Sequence, residues 1–380
     1  MIYLDYNATT PIAKEAVEAM MPFLNGEFGN PSSSHPIGNR AKESLETARR
    51  QVAKMLGCES GEIVFTSGGT ESNNMVLKGL AWTLRNKGRH MITTKIEHPA
   101  IINTALFLIE AGWDVTFLPV DGFGLLDPDK VKRAIQKDTV LISVMHANNE
   151  TGTIQPISEI SSIAREHGIL FHTDAAQTVG KIKTRVHDLG VDFLTIAGHK
   201  IYAHKGVGAL YIRKGLEIEP LMHGGGQEGG LRSGTENVAL DVALGKACEL
   251  IVESLGEDML KIKELRDRLH DLIRSAIPEV TLNGHPEQRL PNTLFLSFPG
   301  MIGDEILRGT SEVCASTGAA CHDRSIKLSH VLGAMGVRKE VGMGAIRLSL
   351  GRPTTEGEVD QAAQMLIETV KSKRLQQVAR

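Results

Sequence analysis

Features that would indicate a metal-binding protein are scarce in this chain of 380 residues. Only four cysteines are present, Cys58, Cys248, Cys314 and Cys321, and none forms a C-x-x-C pair or another zinc-like spacing. We therefore expect no structural metal site.

Long apolar runs and charge of one sign are also missing. No uncharged apolar stretch is long enough to span a bilayer, and Asp5 lies where a signal peptide would need a basic and then an apolar run. The formal net charge is -3 with interspersed signs, which gives neither a basic stripe for nucleic acid nor a polybasic segment for a membrane. These absences favour a reduced, cytoplasmic protein with a small-molecule ligand.

The composition that remains is that of an ordinary globular protein, and its length predicts two or three domains. Short β-rich runs alternate with helix-length segments, at residues 62–66, 90–94, 114–118, 139–145, 169–173, 192–196 and 207–212. This alternation predicts a doubly wound, largely parallel sheet in an α/β protein. Ligands of such sheets bind beyond the carboxyl ends of the strands, so the residues after each run are the first to examine.

A different pattern follows the alternating region. Apolar positions recur at helical spacing between residues 240 and 277, which predicts a pair of connecting helices. Strands are then predicted at 292–298 and 345–350, and a final helix from Glu356 with a capping box made by Thr355 and Glu358. We predict a large domain at residues 15–255 and a smaller α+β domain made of residues 1–14 and 256–380.

Two turns that follow predicted strands carry polar groups. Residues 67–74 form a small-residue turn that opens a helix, and free N–H groups there favour a phosphate. Taken alone, an ordinary glycine turn with Thr70 as N-cap explains this segment better. Asp174 puts a carboxylate at the ligand edge of the sheet, although a helix N-cap explains it almost equally well.

Lys200 gives the strongest local signal, because it directly follows the 192–196 run and lies between Gly198 and a turn at 206–208. A desolvated lysine has a lowered pKa and attacks aldehydes. Together with Asp174, it suggests the Schiff-base lysine and the ring-nitrogen partner that pyridoxal phosphate requires.

Ten segments, in order and over nearly the whole chain, carry a more specific resemblance: residues 4–11, 29–33, 66–74, 97–99, 148–152, 172–177, 198–200, 224–228, 232–237 and 316–321. The sequence resembles the cysteine desulfurases, the NifS/IscS-like group of class-V aminotransferase-fold enzymes. This resemblance implies pyridoxal-phosphate fold type I, with a large, mostly parallel seven-stranded sheet and a smaller α+β domain that carries a catalytic cysteine loop.

The resemblance also assigns cofactor-binding roles. Lys200 would carry pyridoxal 5'-phosphate, His98 would stack on its ring, and Asp174 would pair with the ring nitrogen. The remaining contacts would come from Asn149 near the ring substituents, Gln177 at the phenolic oxygen, Gly69, Thr70 and His199 at the phosphate, and Thr235 from the second subunit of a homodimer.

For the reaction, the resemblance implies that L-cysteine is converted to alanine and a persulfide on Cys321. Lys200 would act as the general base at Cα, and His98 would move a proton on or off the substrate thiol. Arg347 would hold the substrate carboxylate and Asn7 would also contact the substrate, although a surface ion pair is an alternative for Arg347. The sulfur would pass to an unidentified acceptor that serves iron–sulfur cluster biogenesis, tRNA thiolation or selenium handling.

Three other functions remain open. Residues 318–322 also resemble the active loop of selenocysteine lyases, so L-selenocysteine is the alternative substrate. A catalytically silent regulatory paralogue is disfavoured because the predicted catalytic residues are all present, and an aminotransferase has no role for a loop cysteine.

The chain departs from the family pattern at three places. Ala197 replaces a common phosphate-binding serine, and Ala203 and His204 replace a Gly-Pro pair. The chain also ends soon after its last predicted helix, so we do not expect a cluster scaffold to dock through an extended tail.

Overall fold

The computed structural model describes the backbone of residues 1–317, 319–322 and 325–378, and the side chains of residues 1–317 and 327–376. Strands in this part of the chain are β1 (Ile2–Tyr3), β2 (Ile63–Thr66), β3 (His90–Thr94), β4 (Asp114–Leu118), β5 (Thr139–Ser143), β6 (Leu170–Asp174), β7 (Phe193–Ala197), β8 (Gly208–Ile212), β9 (Thr281–Leu282), β10 (Thr293–Ser297), β11 (Val313–Cys314), β12 (Ser316–Thr317), β13 (Ala319–His322), β14 (Ser325–Leu328) and β15 (Ala345–Ser349). The α-helices there are α1 (Lys14–Asn25), α2 (Pro36–Leu56), α3 (Gly69–Leu84), α4 (Pro99–Glu110), α5 (Pro128–Ala134), α6 (Ile157–Glu166), α7 (Val186–Leu189), α8 (Val238–Ala276), α9 (Gly303–Gly309), α10 (His330–Ala334), α11 (Lys339–Gly342) and α12 (Glu356–Val378).

The main sheet has seven strands in the order β2-β8-β7-β6-β5-β3-β4. Every pairing is parallel except those of β8, which runs antiparallel to both β2 and β7. Each of the seven predicted β-rich runs forms one of these strands. The predicted fold class, with a mostly parallel seven-stranded sheet, is therefore confirmed.

Helices cover both faces of this sheet, because neighbouring residues of a strand point to opposite sides. Phe193 in β7 belongs to a buried hydrophobic cluster with side chains of α3 and α4, whereas the next residue, Leu194, belongs to another cluster with side chains of α2, α6 and α8. Both side chains are fully buried. Burial of one such side chain contributes about 1.5–3 kcal/mol, so each strand is held from two sides.

A second sheet, β12-β15-β10-β9, is antiparallel and has its own hydrophobic core. Leu296 of β10 and Leu348 of β15 pack there with Leu4 from the N-terminal segment and Leu269 from α8. The predicted division at residues 14/15 and 255/256 stays a prediction, which these separate cores support.

The prediction of two connecting helices is wrong: residues 238–276 form one helix, α8, of 39 residues. Its first half contributes Leu244 and Ile251 to the core of the main sheet, and its second half contributes Ile262 and Leu265 to the core of the second sheet. Packing at both ends stabilises a continuous helix through Gly256, whose intrinsic cost of about 1 kcal/mol is small by comparison.

The final helix is confirmed together with its predicted capping box. The Thr355 backbone N–H donates to the Glu358 carboxylate at 2.9 Å, and the Glu358 N–H donates to the Thr355 hydroxyl at 3.2 Å. Both contacts satisfy donors that a helix start leaves free.

Candidate active site

A cavity of about 310 Å³ lies beyond the carboxyl ends of the parallel strands, as expected for a doubly wound sheet. Ten predicted site residues line it: Asn7, Gly69, Thr70, His98, Asn149, Asp174, Gln177, His199, Lys200 and Arg347. They come from segments that are far apart in sequence, so the fold brings the predicted cofactor and substrate residues together.

Lys200 lies at the end of a 3-10 turn, Gly198–Lys200, that directly follows β7. Its amine donates to the carbonyl oxygens of Asn7 at 2.5 Å and Ala8 at 2.7 Å. Burial, and next the positive charge of Arg347, lower the pKa of Lys200 to about 8, although Asp5 and Asp174 oppose the shift. A substantial fraction of the amine is therefore neutral near physiological pH, as a nucleophile or general base requires.

Asp174 ends β6 and is held by two contacts. One carboxylate oxygen accepts from Asn73 Nδ2 at 2.7 Å, and the other accepts from the Ala176 N–H at 2.9 Å. Asn73 is not among the predicted site residues, and its buried Oδ1 has no hydrogen-bond partner among the residues that the structure describes. This arrangement keeps a carboxylate at the cavity wall, where it fits a protonated ring nitrogen.

The N-terminus of α3 forms the end of the cavity that fits a phosphate. Gly68 precedes the helix with a φ of 143°, a region that favours glycine. Gly208 approaches it so closely that a Cβ there would lie 2.7 Å from the Gly68 Cα. Since the helix begins at Gly69, Thr70 lies in its first turn, and the alternative with Thr70 as N-cap is wrong. The first N–H groups of a helix have no intrahelical partner and attract anions.

His199 stands beside this helix start. Its Nδ1 lies 3.2 Å from the Thr9 hydroxyl, and burial together with nearby Lys200 lowers the pKa of His199 to about 4. A neutral imidazole is thus available to an anion as a hydrogen-bond donor. Ala197, which replaces the expected serine, also lines the cavity and offers no hydroxyl.

His98 is the N-cap of α4, and its Nδ1 accepts from the Ala100 N–H at 3.1 Å. The neutral ring therefore carries its proton on Nε2. Burial lowers the pKa of His98, while Asp174 partly opposes the shift. The cap contact fixes the imidazole at the cavity, where a stacking or proton-transfer role stays a prediction.

Asn7 joins the two sides of the cavity. Its Nδ2 donates to the Asn149 carbonyl oxygen at 3.2 Å and to the Thr293 hydroxyl at 2.8 Å. Its backbone oxygen accepts from Gln177 Nε2 at 3.0 Å, as well as from Lys200. The roles predicted for Asn7, Asn149 and Gln177 toward ligands stay predictions.

Arg347 lies in β15 and is only 8% exposed, so it is not part of a surface ion pair. Its Nη2 contacts Asp5 Oδ1 at 2.7 Å and the Ser316 hydroxyl at 3.1 Å, and Nη1 donates to the Asn149 carbonyl oxygen at 3.0 Å. Within the described part of the chain, the buried Nε has no hydrogen-bond partner. A guanidinium in this setting suits a carboxylate ligand.

Two predicted site residues are not among those that line the cavity. The side chain of Cys321 lies outside the described residues. Thr235 borders a separate cavity of about 280 Å³ with Arg232 and Asp241. Thr235 therefore does not line the same cavity as Lys200 of the same chain. The predicted role of Thr235 toward a second subunit stays a prediction.

The other three cysteines are buried or half-buried in the fold. Cys248 is buried in α8, and Cys58, which follows α2, is half-buried. Burial raises the pKa of both thiols, that of Cys58 to about 12. Cys314 lies in β11, with its sulfur 3.8 Å from that of Met1. Neither Cys58 nor Cys248 has the accessible thiolate that sulfur transfer requires.

Sequence reasoning missed three polar residues at this site. Asn73 holds Asp174, Asp5 pairs with Arg347, and Lys181 donates to Asn7 and Gln177. The available signals were weak: Asn73 and Asp5 fall within the family segments, and Lys181 follows Gln177 by four positions. Polarity alone did not distinguish them from surface residues.

Among the described residues, no group of three or more histidine, cysteine, aspartate or glutamate side chains is arranged to hold a metal ion. No helix in the same part of the chain is both long and apolar enough to cross a membrane.

The chain is similar to known proteins over nearly its whole length. The family model described as aminotransferase class-V matches residues 2–362. The protein "Cysteine desulfurase IscS" of Dictyoglomus turgidum is 50% identical, with 98% of this chain and 95% of that protein covered. Its namesake in Methanosarcina thermophila is 48% identical, with 98% and 93% covered.

Solved structures agree with this assignment. One titled "NIFS-LIKE PROTEIN" superimposes with a TM-score of 0.92 at 40% identity, covering 97% of this chain and 99% of that one. Another, "SspA in complex with cysteine", gives a TM-score of 0.81 at 39% identity, covering 93% and 100%. The family expected from the sequence and its pyridoxal-phosphate cofactor are therefore confirmed. The chain belongs to the aminotransferase class-V family, in the group that contains the cysteine desulfurases.

Proposed function

We propose that this protein is a pyridoxal-phosphate-dependent cysteine desulfurase, which converts L-cysteine to L-alanine and forms a persulfide on Cys321. The observation that carries the proposal is that Lys200 and Arg347 line the same cavity. An amine with a lowered pKa and a buried guanidinium are there together, as an amino-acid substrate requires. The names of the two relatives, both cysteine desulfurases, support L-cysteine as that substrate.

When bound, pyridoxal phosphate supplies an electrophilic carbon for the substrate amine and a ring that accepts the electrons left at Cα. Asp174 keeps the ring nitrogen protonated, and the N-terminus of α3 holds the phosphate. Arg347 orients the substrate carboxylate, and the neutral amine of Lys200 takes the Cα proton.

Sulfur transfer needs a second nucleophile. The Cys321 thiolate attacks the substrate sulfur, so that a sulfur–sulfur bond forms and the carbon–sulfur bond breaks. The electron pair of the broken bond stays with the three-carbon fragment, which takes up protons and leaves as alanine. His98 is the proposed proton carrier at the substrate thiol, where its Nε2–H faces the cavity as a donor.

The direct test is to incubate the purified holoenzyme with L-cysteine and measure alanine, with and without a thiol reductant. We expect alanine in both cases, but sustained turnover and sulfide release only with the reductant, which regenerates Cys321. Absence of alanine from a protein that contains the cofactor would contradict the proposed function.

We further propose a homodimer in which Thr235 and Arg232 complete the neighbouring site. Support comes from the cavity that Thr235 borders, which is separate from the one with Lys200. Equilibrium sedimentation should give twice the chain mass of 41.2 kDa for the active species. A fully active monomer would contradict this assembly.

The sulfur acceptor, the cytoplasmic location and the two-domain division also belong to this proposal. An acceptor must present a nucleophilic sulfur or selenium to the Cys321 persulfide, or reduce it. The few cysteines, without paired spacing, support a reducing compartment.

Replacing Arg347 with glutamine should raise KM for L-cysteine strongly and lower kcat/KM roughly a hundredfold, because a charge-assisted pair with the substrate carboxylate is lost. Steady-state kinetics of alanine formation would measure both parameters. The matched control is Arg268→Gln, which breaks an exposed arginine pair with Asp360 and should leave KM unchanged. An unchanged KM in Arg347→Gln would mean that another group binds the carboxylate.

A further inference from the structure

We propose that Lys181 is a positioning residue, whose amine holds the Gln177 side chain with its NH2 group toward the cofactor cavity. The inference rests on the proposed function, since it concerns the same site. Lys181 itself does not line the cavity and acts through Gln177.

The surroundings of Lys181 are unusual for a lysine. The residue is 6% exposed, and its Nζ donates to Gln177 Oε1 at 2.7 Å and to Asn7 Oδ1 at 3.1 Å. Both partners are neutral amide oxygens, and none of the ion pairs found among the described residues includes Lys181. Burying a lysine without a carboxylate partner costs free energy. A role for Lys181 inside the protein would explain why this cost is tolerated.

The nearby charges make that cost larger. Lys200 and Arg347 both add to the effect of burial, and the pKa of Lys181 is lowered well below its ordinary value. Lys183, two positions further along the chain, shows the ordinary alternative: it is exposed and pairs with Asp188 at 3.1 Å.

The two neighbours of Gln177 determine which way its amide faces. At one end the Lys181 amine donates to Oε1, and at the other end Nε2 donates to the Asn7 backbone oxygen at 3.0 Å. A flipped amide would set its oxygen against the Asn7 carbonyl and its NH2 group against the amine. Since Nε2 carries two hydrogens, one remains for the cavity that Gln177 lines.

This orientation matters because an anionic oxygen of the bound cofactor needs a donor rather than an acceptor. The Asn7 oxygen that fixes Nε2 also accepts from Lys200 at 2.5 Å. Without Lys181, the Asn7 carbonyl alone would oppose a flip. The Gln177 oxygen would then face the cavity in part of the molecules, and the deprotonated form of the cofactor chromophore would lose stabilisation.

The test is a pH titration of the visible absorption of the holoenzyme, which requires no turnover. In Lys181→Met the midpoint of the absorption change should rise by about one pH unit, because the deprotonated chromophore is destabilised. In the matched control Lys183→Met it should stay at the wild-type value. An unchanged midpoint in Lys181→Met would overturn the proposal.

A second background separates positioning through Gln177 from a direct effect of the Lys181 charge. In Gln177→Leu, adding Lys181→Met should produce no further shift, whereas a further shift of the same size would overturn the proposed route. If Lys181→Met does not fold, Lys181→Gln is titrated instead, with the same two outcomes. The proposed function fails separately, in the alanine assay of the wild-type enzyme.

Discussion

Alanine formation from L-cysteine should fall at least about ten-thousandfold in Lys200→Ala, or about 5.4 kcal/mol of transition-state stabilisation, while the protein stays folded. The variant loses both the covalent attachment of the cofactor and the base at Cα. The Lys200 amine makes its two hydrogen bonds to the carbonyl oxygens of Asn7 and Ala8, which are in the loop after β1. Its removal therefore leaves the main sheet intact.

The matched control for Lys200 is Lys205→Ala. Lys205 is exposed, and it borders the outer cavity beside the start of α3 rather than the one that contains Asp174. This control should keep the visible absorption and far more activity than Lys200→Ala, because Lys205 lies at the phosphate end of the site and does not carry the cofactor. Borohydride reduction of the wild-type holoenzyme, followed by peptide mapping, should place the pyridoxyl group on Lys200. Finding the group on Lys205, or finding full activity in Lys200→Ala, would refute the assignment.

The main sheet was predictable because each of its strands is a short β-rich run with its own turn signals. The β7 run is an example: Phe193 and Leu194 are apolar because both faces of the strand are covered. Helix α8 was not predictable at this level. Its continuity depends on two cores that exist only after the chain has folded, and sequence periodicity does not report such long-range packing.

The candidate site was predictable where strand ends and family segments coincide, as at Asp174 and Lys200. The residues that hold these side chains in place were not predictable, because their contacts join positions far apart in the chain. Asp5 forms hydrogen bonds with Arg347 and Ser316, which are more than 300 positions away. Asn7 accepts a hydrogen bond from Lys181, which belongs to the other predicted domain. Such pairs leave no local pattern, since each partner alone has the composition of a surface residue.

The N-terminal segment explains how substrate binding and the cysteine loop can be connected. Arg347 Nη2 contacts both Asp5 Oδ1 and the Ser316 hydroxyl, and Ser316 donates to the same Asp5 oxygen at 2.9 Å. Ser316 begins β12, which pairs with β15 at Arg347. Cys321 follows Ser316 by five positions, so the segment that carries the proposed nucleophile starts at the proposed carboxylate-binding group.

Replacing Cys321 with alanine should separate the two candidate substrates. Breaking the carbon–sulfur bond of L-cysteine requires an acceptor for sulfur, and a thiolate near the substrate provides one by proximity. Activity on L-cysteine should therefore fall at least about a hundredfold, or roughly 2.7 kcal/mol. Because none of the cofactor-binding roles predicted from the family resemblance falls on Cys321, the visible absorption of the cofactor on Lys200 should remain.

L-selenocysteine should behave differently in the same variant. Its selenol is ionised at neutral pH, and selenium leaves carbon more readily than sulfur does, so a protein nucleophile is less necessary. We expect Cys321→Ala to keep substantial alanine formation from L-selenocysteine, measured beside L-cysteine under the same conditions. The matched control is Cys314→Ala, which removes the thiol near Met1 and should leave both activities intact. Wild-type activity on L-cysteine in Cys321→Ala would show that another group accepts the sulfur, and loss of activity in Cys314→Ala would identify that group as Cys314.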